Sequence, residues 1–98
     1  MQYITTPSHA YLKVSKDKFY PVYEQLTTEQ KEFFGYGYAD IDNVYLEEDC
    51  EAPTYIEVSG DNDAITEVYD EDFDTARIGN MIYKGIQLYS LADFISNI

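Results

Sequence analysis

Three observations predict a single α+β domain, with a mostly antiparallel sheet of about five or six short strands and two or three helices. Runs of four to six residues alternate apolar and polar side chains at the period of a strand. Between them lie stretches with helical spacing and capping residues, and Pro, Gly and Asx turns punctuate the whole. The chain has 98 residues, enough for one core, and eleven Tyr and five Phe set it apart from acidic disordered tails, which are poor in aromatics. The domain is expected to span residues 1–98.

Residues 3–6 read as a first strand, and Pro7, Ser8 and His9 as a turn. Residues 10–14 alternate as a second strand, with Ala10, Leu12 and Val14 on one face and Tyr11 and Lys13 on the other. Ser15 is placed to cap a helix in which Phe19, Val22, Tyr23 and Leu26 share one face; Pro21 fits it only if the helix starts late. Thr28 and Glu32 suggest a second helical stretch over about residues 28–34, stopped by Gly35. Residues 36–40 read as extended, Asp42 and Asn43 as a turn, and residues 44–48 as a strand. In that strand Val44 and Leu46 point inward and Tyr45 and Glu47 outward.

Asp49 can cap a short helix with Pro53 in its first turns, carrying Tyr55 and Ile56 and extending to Val58. An extended reading of residues 54–58 is nearly as good, because Thr, Tyr, Ile and Val favour strands. Residues 59–63 read as a loop and residues 65–73 as an imperfectly alternating strand. Gly79 with Asn80, and Lys84 with Gly85, mark turns around short strands at 81–83 and 86–88. Ser90 caps a last helix ending near Asn97.

The net charge of −13 belongs to one block: residues 40–74 hold fourteen acids and no Lys, Arg or His. Such a block repels nucleic acid and anionic membrane and attracts cationic surfaces. Direct nucleic-acid binding is therefore not expected. The longest apolar runs fall far short of the ~20 residues of a membrane-spanning helix. The start of the chain lacks the charged and apolar regions of a signal peptide. Cys50 is the single cysteine, which suits a reducing compartment, so the expected location is the cytoplasm.

No catalytic chemistry is expected. Cys50 and His9 are the single thiol and imidazole, but Asp49 and Glu51 flank Cys50 and oppose a thiolate. His9 is expected to hydrogen-bond within its turn. Glu47 and Glu48 fall on opposite faces of a strand and do not converge. A calcium loop starting at Asp70 has Thr75 where Gly is needed and Met81 where Glu is needed, and one starting at Asp61 has Ile65 at its fifth position. The chain carries no phosphate-binding glycine loop and no dinucleotide fingerprint; the segment Gly35, Tyr36, Gly37 lacks the third glycine. No metal or cofactor is expected.

Two segments carry a resemblance. Residues 6–14, TPSHAYLKV, are similar to a TPSHGYLxV opening, with Ala10 in place of Gly. Residues 44–53, VYLEEDCEAP, are similar to a VYLEEDCDA segment, with Glu51 in place of Asp. Together they resemble a family of small proteins of bacteriophages and other bacterial mobile elements, over about the first sixty residues. The resemblance implies a genomic setting; that family brings no established activity and no site residues.

The functional expectation rests on charge. If residues 65–73 continue as a strand through Asp74, then Asp70, Asp72 and Asp74 form a row at about 6.6 Å spacing, twice the ~3.3 Å strand rise. Such a row approximates a line of phosphates, which advance ~3.4 Å per nucleotide along each DNA strand. Glu47, Glu48, Asp49 and Glu51 are candidates for a second row, with Asp40, Asp42 and Glu71 adding to the field. Tyr36, Tyr38, Tyr45 and Tyr69 are candidate aromatic anchors. The expected partner is the basic surface of a host nucleic-acid-binding or defence protein, inhibited by mimicry of a phosphate backbone. The alternative is a small phage or plasmid accessory module, with a homodimer as one form of it. Its acidity would serve solubility, and its Tyr-rich face would bind a protein.

Overall fold

The computed structural model describes residues 1–61 and 64–98, and of Asn80 the backbone only. The described residues form eight strands and five helices. The first strands are β1 (Gln2–Thr5), β2 (Ala10–Ser15), β3 (Tyr38–Ala39) and β4 (Asn43–Glu47), followed by β5 (Thr66–Tyr69) and β8 (Tyr89–Ser90). These six make one sheet in the order β5-β1-β2-β4-β3-β8. All its pairings are antiparallel except β1 with β5. The remaining two strands, β6 (Ile82–Tyr83) and β7 (Ile86–Gln87), form a separate hairpin. The predicted α+β class and its mostly antiparallel sheet are thus present.

Helices α1 (Lys16–Gln25), α2 (Thr28–Lys31), α3 (Glu51–Ser59) and α5 (Leu91–Ser96) complete the first half of the structure. Phe19 of α1, Leu26 at the C-cap of α1, Phe34, Ala52 and Tyr55 of α3, and Leu91 of α5 pack with Leu12, Val14, Val44 and Leu46 of the sheet. Ser15 caps α1 as expected, its hydroxyl accepting from the Lys18 N–H at 3.3 Å. The expectation of a late start to α1 fails: Pro21 lies inside it, on the exposed side. The second helix starts at Thr28 as expected but ends at Lys31, short of residue 34, and Thr27 caps it in a reciprocal box with Gln30. Residues 54–58 are helical, which excludes the extended reading.

The opposite face of the sheet corrects two expectations. Tyr11 and Tyr45 do point away from the first core, but into a second one, and each is 2% exposed. Their rings meet Phe73, at centroid distances of 4.8 and 5.0 Å, in a cluster with Ile4, Ala76, Tyr83 and Leu88. The central strands are therefore covered on both faces, and alternation alone does not reveal the second cover.

That cover comes from the largest departure. The strand predicted over residues 65–73 ends at Tyr69; Asp70 turns the chain and caps α4 (Glu71–Thr75), accepting from the Asp72 N–H at 3.0 Å. A π-helical turn over Ala76–Asn80 follows, closed by the Met81 N–H to the Ala76 carbonyl. Gly79 and Asn80 lie in that turn rather than in a hairpin loop. The expected Lys84–Gly85 turn is present, with both residues at positive φ, the requirement of a tight two-residue hairpin loop. Of the predicted loop 59–63, Gly60 is the left-handed cap of α3, and Asn62 and Asp63 lie outside the described residues.

Candidate functional site

The sheet register gathers most of the candidate acids at one end. The C-terminal ends of β1, β4 and β5 and the N-terminal end of β2 lie side by side. The Asp70 N–H donates to the Thr5 carbonyl at 2.8 Å, and the Glu48 N–H to the Ala10 carbonyl at 3.0 Å. Glu47, Glu48 and Asp49 therefore stand on one side of the turn at residues 7–9, and Asp70, Glu71, Asp72 and Asp74 on the other. At the strand ends, three strand spacings separate Asp70 from Glu48, roughly 14 Å, while α4 folds back over the sheet and brings Asp74 to Ser8 in the intervening turn. Glu48, Asp49, Glu71 and Asp72 are exposed; Glu47, Asp70 and Asp74 are half-buried.

Asp70, Asp72 and Asp74 do not form the expected row, because a capped helical turn replaces the strand. Two of them are engaged locally. Asp70 accepts from the Tyr83 hydroxyl at 2.5 Å and lies 3.5 Å from the Lys84 ammonium. Asp74 accepts from the Ser8 hydroxyl at 2.7 Å and from Arg77 Nε at 2.8 Å. Burial pushes both carboxyls up, but these donors outweigh it and hold each below the ordinary aspartate range. Asp72 and Glu71 are exposed, and neither carboxylate is in an ion pair among the described residues. Among the described residues the bases at this end are Arg77, Lys84 and His9, whose Nδ1 lies 3.8 Å from Glu47 Oε1. Arg77 and Lys84 answer Asp74 and Asp70, which leaves the other carboxylates here without a permanent counter-charge.

Three candidates do not belong to the acidic end, two of them because they are buried. Asp40 is 3% exposed and holds the β3–β4 turn, accepting from the Asp42 and Asn43 N–H groups and from the Tyr45 hydroxyl at 2.6 Å. Asp42 is exposed beside that turn, at the opposite end of the sheet from the other acids. Glu51 is fully buried. Its Oε2 accepts from the amides of Gly35, Tyr36 and Gly37, and its Oε1 from that of Glu47 at 2.8 Å. Burial pushes its carboxyl above the ordinary glutamate range, with the four amides pulling against it. This explains the paired glycines: Gly35 has φ +130, and a Cβ on Gly37 would lie 2.0 Å from the Tyr45 carbonyl oxygen.

Among the aromatic candidates, Tyr36 is 59% and Tyr69 65% exposed, and they flank the acidic end on opposite sides. Tyr38 is half-buried against Tyr11 and Phe73, and Tyr45 is a core residue, not an anchor. Burial and then the charges of Glu47, Glu51 and Asp49 push the Cys50 thiol up, away from a reactive thiolate. Within the turn, the His9 backbone bonds to Thr6, and its imidazole instead approaches Glu47. No group of three potential metal ligands converges among the described residues, and no described helix is long and apolar enough to cross a membrane.

An open apolar groove of about 530 Å³ lies elsewhere, lined by Lys16, Ile41, Gly85, Ile86, Gln87 and Tyr89. A smaller cavity of about 130 Å³ sits on the sheet between Tyr3, Thr5, Ala10, Glu48 and Glu67. Glu67 was not singled out from the sequence; its alternation with Tyr69 in a short strand was the available signal. No family model matches the chain, and no curated protein or solved structure matches it either.

Proposed function

We propose that this protein acts by binding rather than catalysis, and that its acidic end engages a cationic surface of a nucleic-acid-binding protein in place of the phosphate backbone. The observation that carries this reading is the convergence of two acidic groups at one end of the sheet, with their nearby permanent bases already engaged. The mimicry does not rest on a strand-spaced row. It rests on two groups of carboxylates whose strand-end members, Asp70 and Glu48, stand roughly 14 Å apart, comparable to the ~12 Å width of a DNA major groove. Exposed Tyr36 and Tyr69 beside the clusters supply the apolar contact that charge alone lacks. The resemblance to bacteriophage and mobile-element proteins fits inhibition of a host defence protein that reads nucleic acid.

The test replaces Glu48 by Gln, Asp49 by Asn, Glu71 by Gln and Asp72 by Asn together. Immobilised parent protein is expected to capture bacterial nucleic-acid-binding proteins that duplex DNA displaces. Capture should weaken steeply as salt shortens the screening length from about 10 Å at 0.1 M to about 3 Å at 1 M. The fourfold variant should keep its fold and lose capture. Capture that duplex DNA does not compete, or that survives neutralisation, would overturn the reading. The apolar groove favours a second reading, an accessory interaction module, because Ile41 in its wall is 74% exposed. That reading predicts salt-insensitive capture abolished by Ile41→Asp.

A further inference from the structure

We infer that the outer edge of β5, unpaired among the described residues, accepts an extended, Lys- or Arg-bearing polypeptide segment as a further strand of the sheet, with a cationic side chain of that segment meeting Glu67. The inference rests on the cationic-partner reading above and specifies how part of such a partner is held. It begins with topology: β5 is the terminal strand of the six. On its inner side the Thr66 N–H donates to the Met1 carbonyl at 3.0 Å and the Asp70 N–H to the Thr5 carbonyl at 2.8 Å. Residues bonding to one neighbour alternate along a parallel strand, so the main-chain groups of Glu67 and Tyr69 face away from β1. Both residues are exposed.

Natural sheets blunt such edges with short strands, charged side chains (Lys above all), Pro, a bulge or a covering element, and a charge deters a like-charged strand while attracting an opposite one. The strand Thr-Glu-Val-Tyr has no Pro or Lys, and its register with β1 is unbroken. What it does carry is Glu67. A second copy of this chain would bring another −13 and another Glu67 to the same edge, and like charges facing each other across strands are unfavourable. Charge thus selects a cationic occupant over self-pairing.

The side-chain geometry agrees. Glu67 pairs with Tyr3 in the register, and beside them lies the 130 Å³ cavity whose wall includes both Glu67 and Glu48. None of its described lining residues is a base. Burial and then the Glu48 charge push the Tyr3 hydroxyl above its ordinary range, the response expected of a negative potential there. A residue opposite Glu67 on an added strand would place its Cβ about 5 Å away on the same face. A Lys or Arg side chain spans that gap and reaches toward the cavity. Tyr69, two residues along and 65% exposed, offers a ring to a neighbouring cation. In this mode main-chain bonds supply affinity and alternate side chains supply specificity.

The probe is a short synthetic peptide of alternating Lys and Thr, compared with the same peptide N-methylated at every residue, which keeps its charge and removes its strand donors. The first should bind about tenfold more tightly or better, a difference of about 1.4 kcal/mol. It should also slow amide hydrogen exchange at Glu67 and Tyr69 by about tenfold while leaving Thr66 and Val68 unchanged. Glu67→Gln, on the surface, should weaken binding without loss of fold. Equal binding of the two peptides without new protection at Glu67 and Tyr69 overturns strand addition but leaves cation recognition standing. If neither peptide binds, strand addition fails. The wider reading falls only if capture also survives the fourfold neutralisation. Protection of these amides that rises with protein concentration alone would assign the edge to a second copy and overturn the cationic occupant.

Discussion

Replacing Glu51 by Ala removes the acceptor around which three segments of the chain are folded. Its two oxygens take four main-chain N–H groups, from Gly35, Tyr36, Gly37 and Glu47, at 2.5 to 3.1 Å. The Gly37 amide is buried, and leaving such a donor unpaired costs about 1–3 kcal/mol. The other three are part-buried, where water recovers some of the loss, at about 0.5–1.5 kcal/mol each. A total of about 5 kcal/mol is expected, the middle of the range these contributions span, against about 5–15 kcal/mol for the whole domain. At about 4–8 °C per kcal/mol for a chain of this size, the melting temperature should fall by about 20–40 °C. Glu51→Gln keeps one oxygen for the three amides of residues 35–37 but turns an NH₂ toward another donor, or the reverse. It should cost about half as much. Urea denaturation of parent, Glu51→Ala and Glu51→Gln reads these values directly. Glu48→Gln, at an exposed neighbour, serves as a control expected to stay within about 0.5 kcal/mol. A Glu51→Ala protein within about 1 kcal/mol of the parent, with an unchanged denaturant slope, would refute the argument that this carboxylate organises the turn.

Other consequences follow from the same packing. Gly37→Ala puts a Cβ 2.0 Å from a backbone oxygen, so it should destabilise by more than about 3 kcal/mol in the same titration. Tyr83→Phe removes the 2.5 Å bond to Asp70 and should lower stability by about 1–2 kcal/mol, read as a shift in the urea midpoint. Because Asp74 is held below its ordinary value of 3.8, its contribution is present above that pH and is lost as pH falls through its folded-state value. Asp74→Asn should therefore reduce stability near neutral pH and flatten the acid side of a melting-temperature profile; an unchanged acid slope would contradict the pairing with Ser8 and Arg77.

Local rules were enough for much of this chain. Ser15 and Ser90 cap their helices because a hydroxyl at that position meets an otherwise unpaired N–H, and this depends on neighbours in sequence. Alternation in residues 10–14 and 44–47 placed Leu12, Val14, Val44 and Leu46 together on the face that the helices cover. The acidic block and its lack of bases are properties of the sequence alone. Tertiary structure decided the rest. The outward Tyr11 and Tyr45 became core because α4, the π turn and a hairpin far along the chain fold back over them, and strand periodicity carries no record of what covers a face. Asp70 acts as a helix cap rather than the first member of a carboxylate row; its Tyr83 bond and its proximity to Lys84 fix that role, and both partners are distant in sequence. Glu51 and Asp40 look like surface acids when counted, yet each is enclosed by main-chain donors that converge only after the chain has folded. Charge is written residue by residue, whereas exposure depends on which segments meet.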